Sequence, residues 1–250
     1  MSQDIFLDTD IIMKRAFGDV AVKKAIDDYI KDANKSATTY IKAELNRGII
    51  RDVIFLHSVL AEERDLPTVF ARLKSFPTTE RQRKRRLEIL ERISDKRQLR
   101  IADTITKLES LIFALSRSML LQDIALVPSG TKCALANREI EKRHLSYSID
   151  TSCTRQSPVC SVADYMKTNL AYLKNIDAFV RSYPHFYKLR RVLAEVAKDP
   201  RKAKGRNCLT LGDVIICLDS PDGYGIASTN AKDFEPICKC LGKPFIRIVL

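Results

Sequence analysis

No stretch of this 250-residue chain holds the ~18–20 uninterrupted apolar residues that a membrane helix requires, so no helical membrane span is expected. Residues 1–4 bring no basic leader and no long apolar run follows, so no signal peptide is expected either. Histidine is scarce: His57, His144 and His185 are isolated, and a Cys/His or Ser/His nucleophile is not expected. Cys153-x6-Cys160 and Cys238-x-Cys240 lack zinc-ligand spacing and a neighbouring histidine, and they read as ordinary thiols. Seven scattered cysteines, an odd number, do not make a disulfide framework and fit free thiols in a reducing cytoplasm. The sequence shows no internal repeat and no low-complexity tract.

Acidic residues are the minority charge, 31 against 43 Lys and Arg, for a formal net charge of +12. Such an excess favours polyanionic partners, with nucleic acid first and an anionic membrane surface second. The excess is concentrated. Residues 72–100 hold 11 Lys and Arg against 4 Asp and Glu, including Arg81, Arg83, Lys84, Arg85 and Arg86, which read as a solvated helix face or, as the local charge favours, as a grip on nucleic-acid phosphates. A second basic stretch, 198–206, contains Arg201, Lys202, Lys204 and Arg206 and reads equally as a flexible connection or an RNA-contacting loop. Tyr183, His185, Phe186 and Tyr187 could stack on bases, but helix packing explains them more simply.

Apolar residues make up 45% of the chain, enough for a sizeable core in one large or two small domains. Residues 4–12 read as a buried strand, 19–33 as an amphipathic helix capped by Asp19, and 39–62 as a helix with a bend at Gly48. Residues 35–38 read as a break between the two helices. From 68 to 125 the pattern is helical, and helices are also expected at 134–145, 161–182 and 185–198. Beyond Cys208 come a short apolar helix from Asp213, a strand at 224–229, a helical turn near 233–237 and a final strand at 245–250. Strands alternating with helices imply an α/β layer with parallel strands. The expected organisation is a discontinuous α/β core, 1–62 and 207–250, interrupted by a basic α-helical insertion, 63–206.

Four acids stand at the edges of apolar segments of that core: Asp8, Glu44, Asp213 and Asp233. A charge there is costly unless water, a cation or a metal satisfies it. In parallel sheets functional groups gather at the carboxyl ends of strands, and helix N-termini favour carboxylates. Oxygen donors without His or Cys suit Mg2+ or Mn2+.

The segments Phe6-Leu7-Asp8-Thr9-Asp10, Ile41-Lys42-Ala43-Glu44-Leu45, Gly212-Asp213-Val214-Ile215-Ile216 and Thr229-Asn230-Ala231-Lys232-Asp233-Phe234-Glu235, in this order, resemble the PIN-domain nucleases, especially the VapC-like toxins. The resemblance implies a PIN-like parallel sheet flanked by helices and a metal-dependent endoribonuclease. Asp8, Glu44, Asp213 and Asp233 would hold Mg2+ or Mn2+, supported by Thr9, Thr229 and Asn230. RNA would be the substrate, with DNA not excluded. An antitoxin or other protein partner and a homodimer are further implied expectations, as is a toxin or defence role. Two features depart from the family: Asp10 stands where Asn, Ser or Cys is common, and reads as a solvated bystander, and the insertion has no counterpart in the motif. Asp219 and Asp222 lie close enough in sequence to Asp213 to replace a ligand, although Asp222 also suits a turn. The competing reading is an inactive copy of the fold that binds nucleic acid or serves as a scaffold; in another, the insertion is a protein-interaction module.

Overall fold

Ile5, Phe6 and Leu7 are fully buried, and their burial on both faces places strand β1 (Asp4–Leu7) in the middle of a parallel sheet. The fold is seen in a computed structural model that describes residues 3–63, 65–94, 100–144, 146–153 and 160–250. The remaining strands are β2 (Asn34–Thr38), β3 (Ala125–Val127), β4 (Glu141–Arg143), β5 (Ser146–Ser148), β6 (Gly225–Ser228) and β7 (Phe245–Arg247). The α-helices begin with α1 (Thr9–Phe17), α2 (Val20–Ile30), α3 (Thr39–Leu45), α4 (Arg51–Glu62), α5 (Leu66–Ser75), α6 (Glu80–Ile93) and α7 (Ile101–Ser116). They continue with α8 (Val162–Thr168), α9 (Leu170–Phe179), α10 (Tyr187–Lys198), α11 (Arg206–Thr210), α12 (Gly212–Asp219) and α13 (Ala231–Cys240). None of the described helices is long and apolar enough to cross a membrane.

The chain forms two compact units. One comprises Met1–Glu44, Asp123–Asn137 and Ser152–Leu250; the other comprises Leu45–Gln122 and Arg138–Thr151. The first is α/β, with a five-stranded parallel sheet in the order β3-β2-β1-β6-β7 flanked by helices. Its boundaries differ from the expected 62/63 and 206/207. Strand β3 pairs in parallel with β2, with Ser36 opposite Ala125, and α9 packs on α13, so segments assigned to the insertion belong to the sheet-bearing unit.

Asp8 follows β1 and stands at the N-cap of α1, so the apolar run 4–12 is a four-residue strand followed by a helix rather than one long strand. Ile11 and Ile12 point inward with helical spacing, which a short apolar run does not distinguish from a strand. Residues 35–38, expected as a break, lie in β2, whose polar sequence is held by pairing on both sides. Residues 134–145, expected as a helix, form a 3-10 turn at Ala134–Asn137 and then the antiparallel hairpin β4–β5. Gly225 lets Ile246 of the next strand pack close where β6 meets β7: a Cβ there would lie 2.3 Å from Ile246 Cδ1, so a larger residue would make that side chain shift.

Two polar anchors fasten the sheet-bearing unit. Tyr40, fully buried on α3, donates its hydroxyl to the Cys208 carbonyl at 3.0 Å. Asp219, at the end of α12, accepts from Thr38 Oγ1 (2.6 Å), Tyr165 Oη (2.7 Å) and the Gly130 amide (3.3 Å). Burial, and then the adjacent Asp219, push the Tyr165 hydroxyl far above its ordinary pKa. Tyr165→Phe is expected to cost about 1.5 kcal/mol, near the low end for a bond to a charged group because two donors to Asp219 remain. Urea unfolding measures this, and an unchanged midpoint would contradict it.

The second unit packs α4 to α7 and the β4–β5 hairpin around Leu56, Leu60, Val69, Leu73, Leu90, Leu108 and Ile112. A five-residue π-helical turn, Asn46–Ile50, precedes α4 at the position of the expected bend. Buried His57 meets Tyr147 edge-on at a centroid distance of 4.9 Å, and burial lowers its imidazole pKa.

Candidate active site

The carboxyl end of β1 delivers Asp8 into the sheet-bearing unit with only 5% of its surface exposed. Its amide continues the ladder to the Ala227 carbonyl of β6 at 3.1 Å. Its Oδ2 accepts from Ser228 Oγ at 2.8 Å, and Ser228 Oγ in turn accepts from the Asn230 amide at 2.9 Å. Desolvation raises the Asp8 pKa well above the ordinary carboxylate range, and the charges of Asp213, Glu44 and Asp10 raise it further; the Ser228 bond acts in the opposite sense. The neighbouring Cys217 thiol is raised as well, by burial first, then by Cys238, Asp213 and Asp8. Asp213, Glu44 and Asp10, from α12, α3 and α1, therefore all act on Asp8 at the end of β1.

Each element places its acid for a local reason. Glu44 lies near the C-terminus of α3, and Thr9 Oγ1, from the first turn of α1, donates to its Oε2 at 2.5 Å. Asp213 is in the first turn of α12, where the helix dipole favours negative charge. Gly212, which opens α12, lies against Glu44: a Cβ on it would come 2.7 Å from Glu44 Oε1. Gly212→Ala is therefore expected to displace the Glu44 carboxylate, lowering divalent-ion affinity about tenfold at a stability cost below about 1 kcal/mol. Calorimetric titration with Mn2+ beside thermal unfolding checks it, and unaltered affinity would contradict it.

Asp10 is not a bystander to this charge cluster. It forms an ion pair with Lys14 (2.9 Å) and accepts from Thr229 Oγ1, to which Lys14 also donates. Thr229 thus acts on Asp10, and Ser228 is the hydroxyl that holds Asp8. Asp233 lies in the first turn of α13, where it accepts from Asn230 Nδ2 (2.8 Å) and stands 3.8 Å from His185 Nε2. It is not among the groups that shift Asp8. Asp219 is engaged by its three donors, and Asp222 is fully exposed beside Lys243. Ser228 and Lys14 were not singled out from sequence. The available signals were a hydroxyl residue ending a buried parallel strand and a Lys four residues after Asp10 on a helix.

The candidate donors are all carboxylate oxygens. In kind and in charge such a set fits Mg2+ or Mn2+. The side chains are not preformed around one point: among the described residues, no group of three or more His, Cys, Asp or Glu is arranged to hold a metal ion.

The expected phosphate-gripping residues fall into different surroundings. Arg86, on α6, is 6% exposed and donates from Nε to Asp52 Oδ1 at 2.9 Å, with its guanidinium 3.6 Å above the Phe55 ring. Arg85 also binds Asp52, at 2.6 Å, while Lys84 is 78% exposed and Arg83 is half-buried. Arg81 is on α6, and its side chain lies outside the described residues. In the sheet-bearing unit, Arg201, Lys202 and Arg206 are exposed and Lys204 is half-buried; Arg201 pairs with Asp199 at 2.9 Å. Phe186 is buried among the rings of Tyr183 and His185, whereas Tyr187 is exposed. Cys208, Cys217 and Cys238 are buried thiols. No protein-family model matches the chain, and neither does any curated protein or solved structure.

Proposed function

We propose that the chain is a metal-dependent endoribonuclease of the PIN-like kind, with Asp8, Glu44 and Asp213 as principal ligands of Mg2+ or Mn2+ and with Asp10 and Asp233 beside them. The observation that carries this reading is the buried Asp8 carboxyl at the end of the central strand, its pKa raised first by burial and then by acids from three other elements. Repulsion of that kind is costly unless a cation joins the group. A bound divalent ion would supply Lewis acidity to water and to the scissile phosphodiester.

The chain's own residues do the positioning. Ser228 fixes Asp8 Oδ2, and Thr9 fixes Glu44 Oε2. Lys14 balances Asp10 and brings positive charge beside the cluster, where an RNA phosphate would lie. The net charge of +12 supports a nucleic-acid substrate, and DNA shares the phosphodiester chemistry. Free thiols suit a cytoplasmic setting. A toxin or defence role, an antitoxin partner and a homodimer rest on the sequence resemblance.

Purified protein incubated with single-stranded and structured RNA, and with DNA, in Mn2+, Mg2+ or EDTA tests the reading. Cleavage of RNA that requires metal and disappears in Asp213→Asn is expected. Asp233→Asn, whose carboxylate has its own partners in Asn230 and His185, is expected to lose less activity than Asp213→Asn. Binding of RNA without cleavage in either metal, equal in wild type and variants, would instead identify an inactive nucleic-acid-binding copy of the fold.

A further inference from the structure

Asp52, at the start of α4, is 0% exposed, yet it is surrounded by more positive charge than one carboxylate balances. It accepts from Gln82 Nε2 (3.2 Å), Arg85 Nε (2.6 Å) and Arg86 Nε (2.9 Å). Arg51, next to it in sequence, has its guanidinium pKa lowered by burial; Asp52 opposes that shift, while Arg85, Arg86 and Arg47 reinforce it. Among the described residues, Arg51, Arg85 and Arg86 thus draw on the same acid, and Arg47 adds its charge beside Arg51. Arg86 is more than nine-tenths buried, and its Nη1 is enclosed with no hydrogen-bond partner among the described residues. The Nε atoms of Arg51 and Arg83 are in the same condition. Buried guanidinium donors without acceptors call for an explanation, and their fork geometry matches phosphate oxygens.

Local structure keeps the group together and reachable. The π-helical turn leads from Arg47 to Arg51, and Gly48 within it presents no side chain to Arg85, whose Nη1 lies 3.5 Å from where a Cβ would be. Phe55 covers one face of Arg86. Arg85 remains 30% exposed, and Arg47 and Arg51 are half-buried, so the rim of the cluster meets solvent.

We propose that Arg47, Arg51, Arg85 and Arg86 form a phosphate-binding site in the second unit. The ligand is a phosphate group, either a backbone phosphodiester of RNA or a free phosphate. Its oxygens satisfy the orphaned guanidinium donors and offset the charge that Asp52 leaves unbalanced. The site lies outside the unit that holds Asp8 and does not rest on the nuclease reading.

The test uses the full chain in EDTA, so that no cleavage intervenes. Thermal unfolding is followed against inorganic phosphate and against chloride at equal ionic strength, and affinity for a fluorescein-labelled 12-nucleotide RNA is read by polarisation. Phosphate is expected to raise the melting temperature of the wild type saturably beyond chloride. Arg51→Gln and, as a second variant, Arg47→Gln are expected to lose that rise. If RNA affinity also falls about tenfold in these variants and the salt slope drops by about one, the ligand is a backbone phosphate. If the phosphate effect is lost while RNA affinity holds, the ligand is a free phosphate. Wild type that responds to phosphate no more than to chloride, with RNA affinity equal in all three proteins, would overturn the proposal, as would a phosphate effect undiminished in both variants.

Discussion

Asp8→Asn is expected to abolish metal-dependent cleavage and at the same time to make the protein more stable at neutral pH. The loss of rate is at least about a hundredfold, since the charge a metal site stabilises is worth several kcal/mol and each 1.36 kcal/mol is a factor of ten. The gain in stability follows from the environment of Asp8. Burial, Asp213, Glu44 and Asp10 raise its folded-state pKa above the unfolded value. A carboxyl raised in this way contributes stability below the unfolded pKa and loses it as pH climbs through the folded one. The amide of Asn carries no charge, keeps the shape and still accepts from Ser228. The variant should therefore melt level with the wild type in acid and above it at neutral pH, by about 2–4 °C for each kcal/mol relieved. Unfolding scans across pH 3–8 without divalent ions check this, and a variant that melts lower at pH 7 would contradict it.

The second large effect is expected in the other unit. Asp52→Ala should destabilise it by about 3–5 kcal/mol, because removing one partner of a buried ion pair strands the other. Arg86 would remain buried with neither Nε nor Nη1 satisfied, and Arg85 and Arg51 would face it without the intervening carboxylate. Urea unfolding monitored by circular dichroism should show an early transition in this variant. A single transition at the wild-type midpoint would contradict the assignment of Asp52 as the charge that organises α4 and α6.

How much of this was legible in the sequence depended on whether a residue's role was local or set by distant partners. The apolar runs at β1, α12 and β6 announced buried elements, and Asp19 capping α2 is a local interaction that the residue type alone implies. The parallel α/β layer followed from the alternation of such runs. β2 was not legible, because Asn34-Lys35-Ser36-Ala37-Thr38 is polar and is held as a strand by its two neighbours rather than by its own pattern. β3, three residues long, gave too little pattern to separate it from the helical stretch before it. At the candidate site, acids beside apolar runs were visible, whereas the pairing of Thr229 with Asp10 and Lys14, and of Ser228 with Asp8, joins residues about 220 apart in sequence. The run at 81–86 shows the same limit: all five basic side chains look alike in sequence, and only the buried Asp52 separates Arg85 and Arg86 from Lys84.

Calorimetric titration of the full chain with Mn2+, wild type beside Asp8→Asn, is the most direct measurement of the central claim. A saturable binding isotherm in the wild type that weakens at least about tenfold in the variant is the predicted result. Superimposable isotherms, or no heat from either protein, would contradict it.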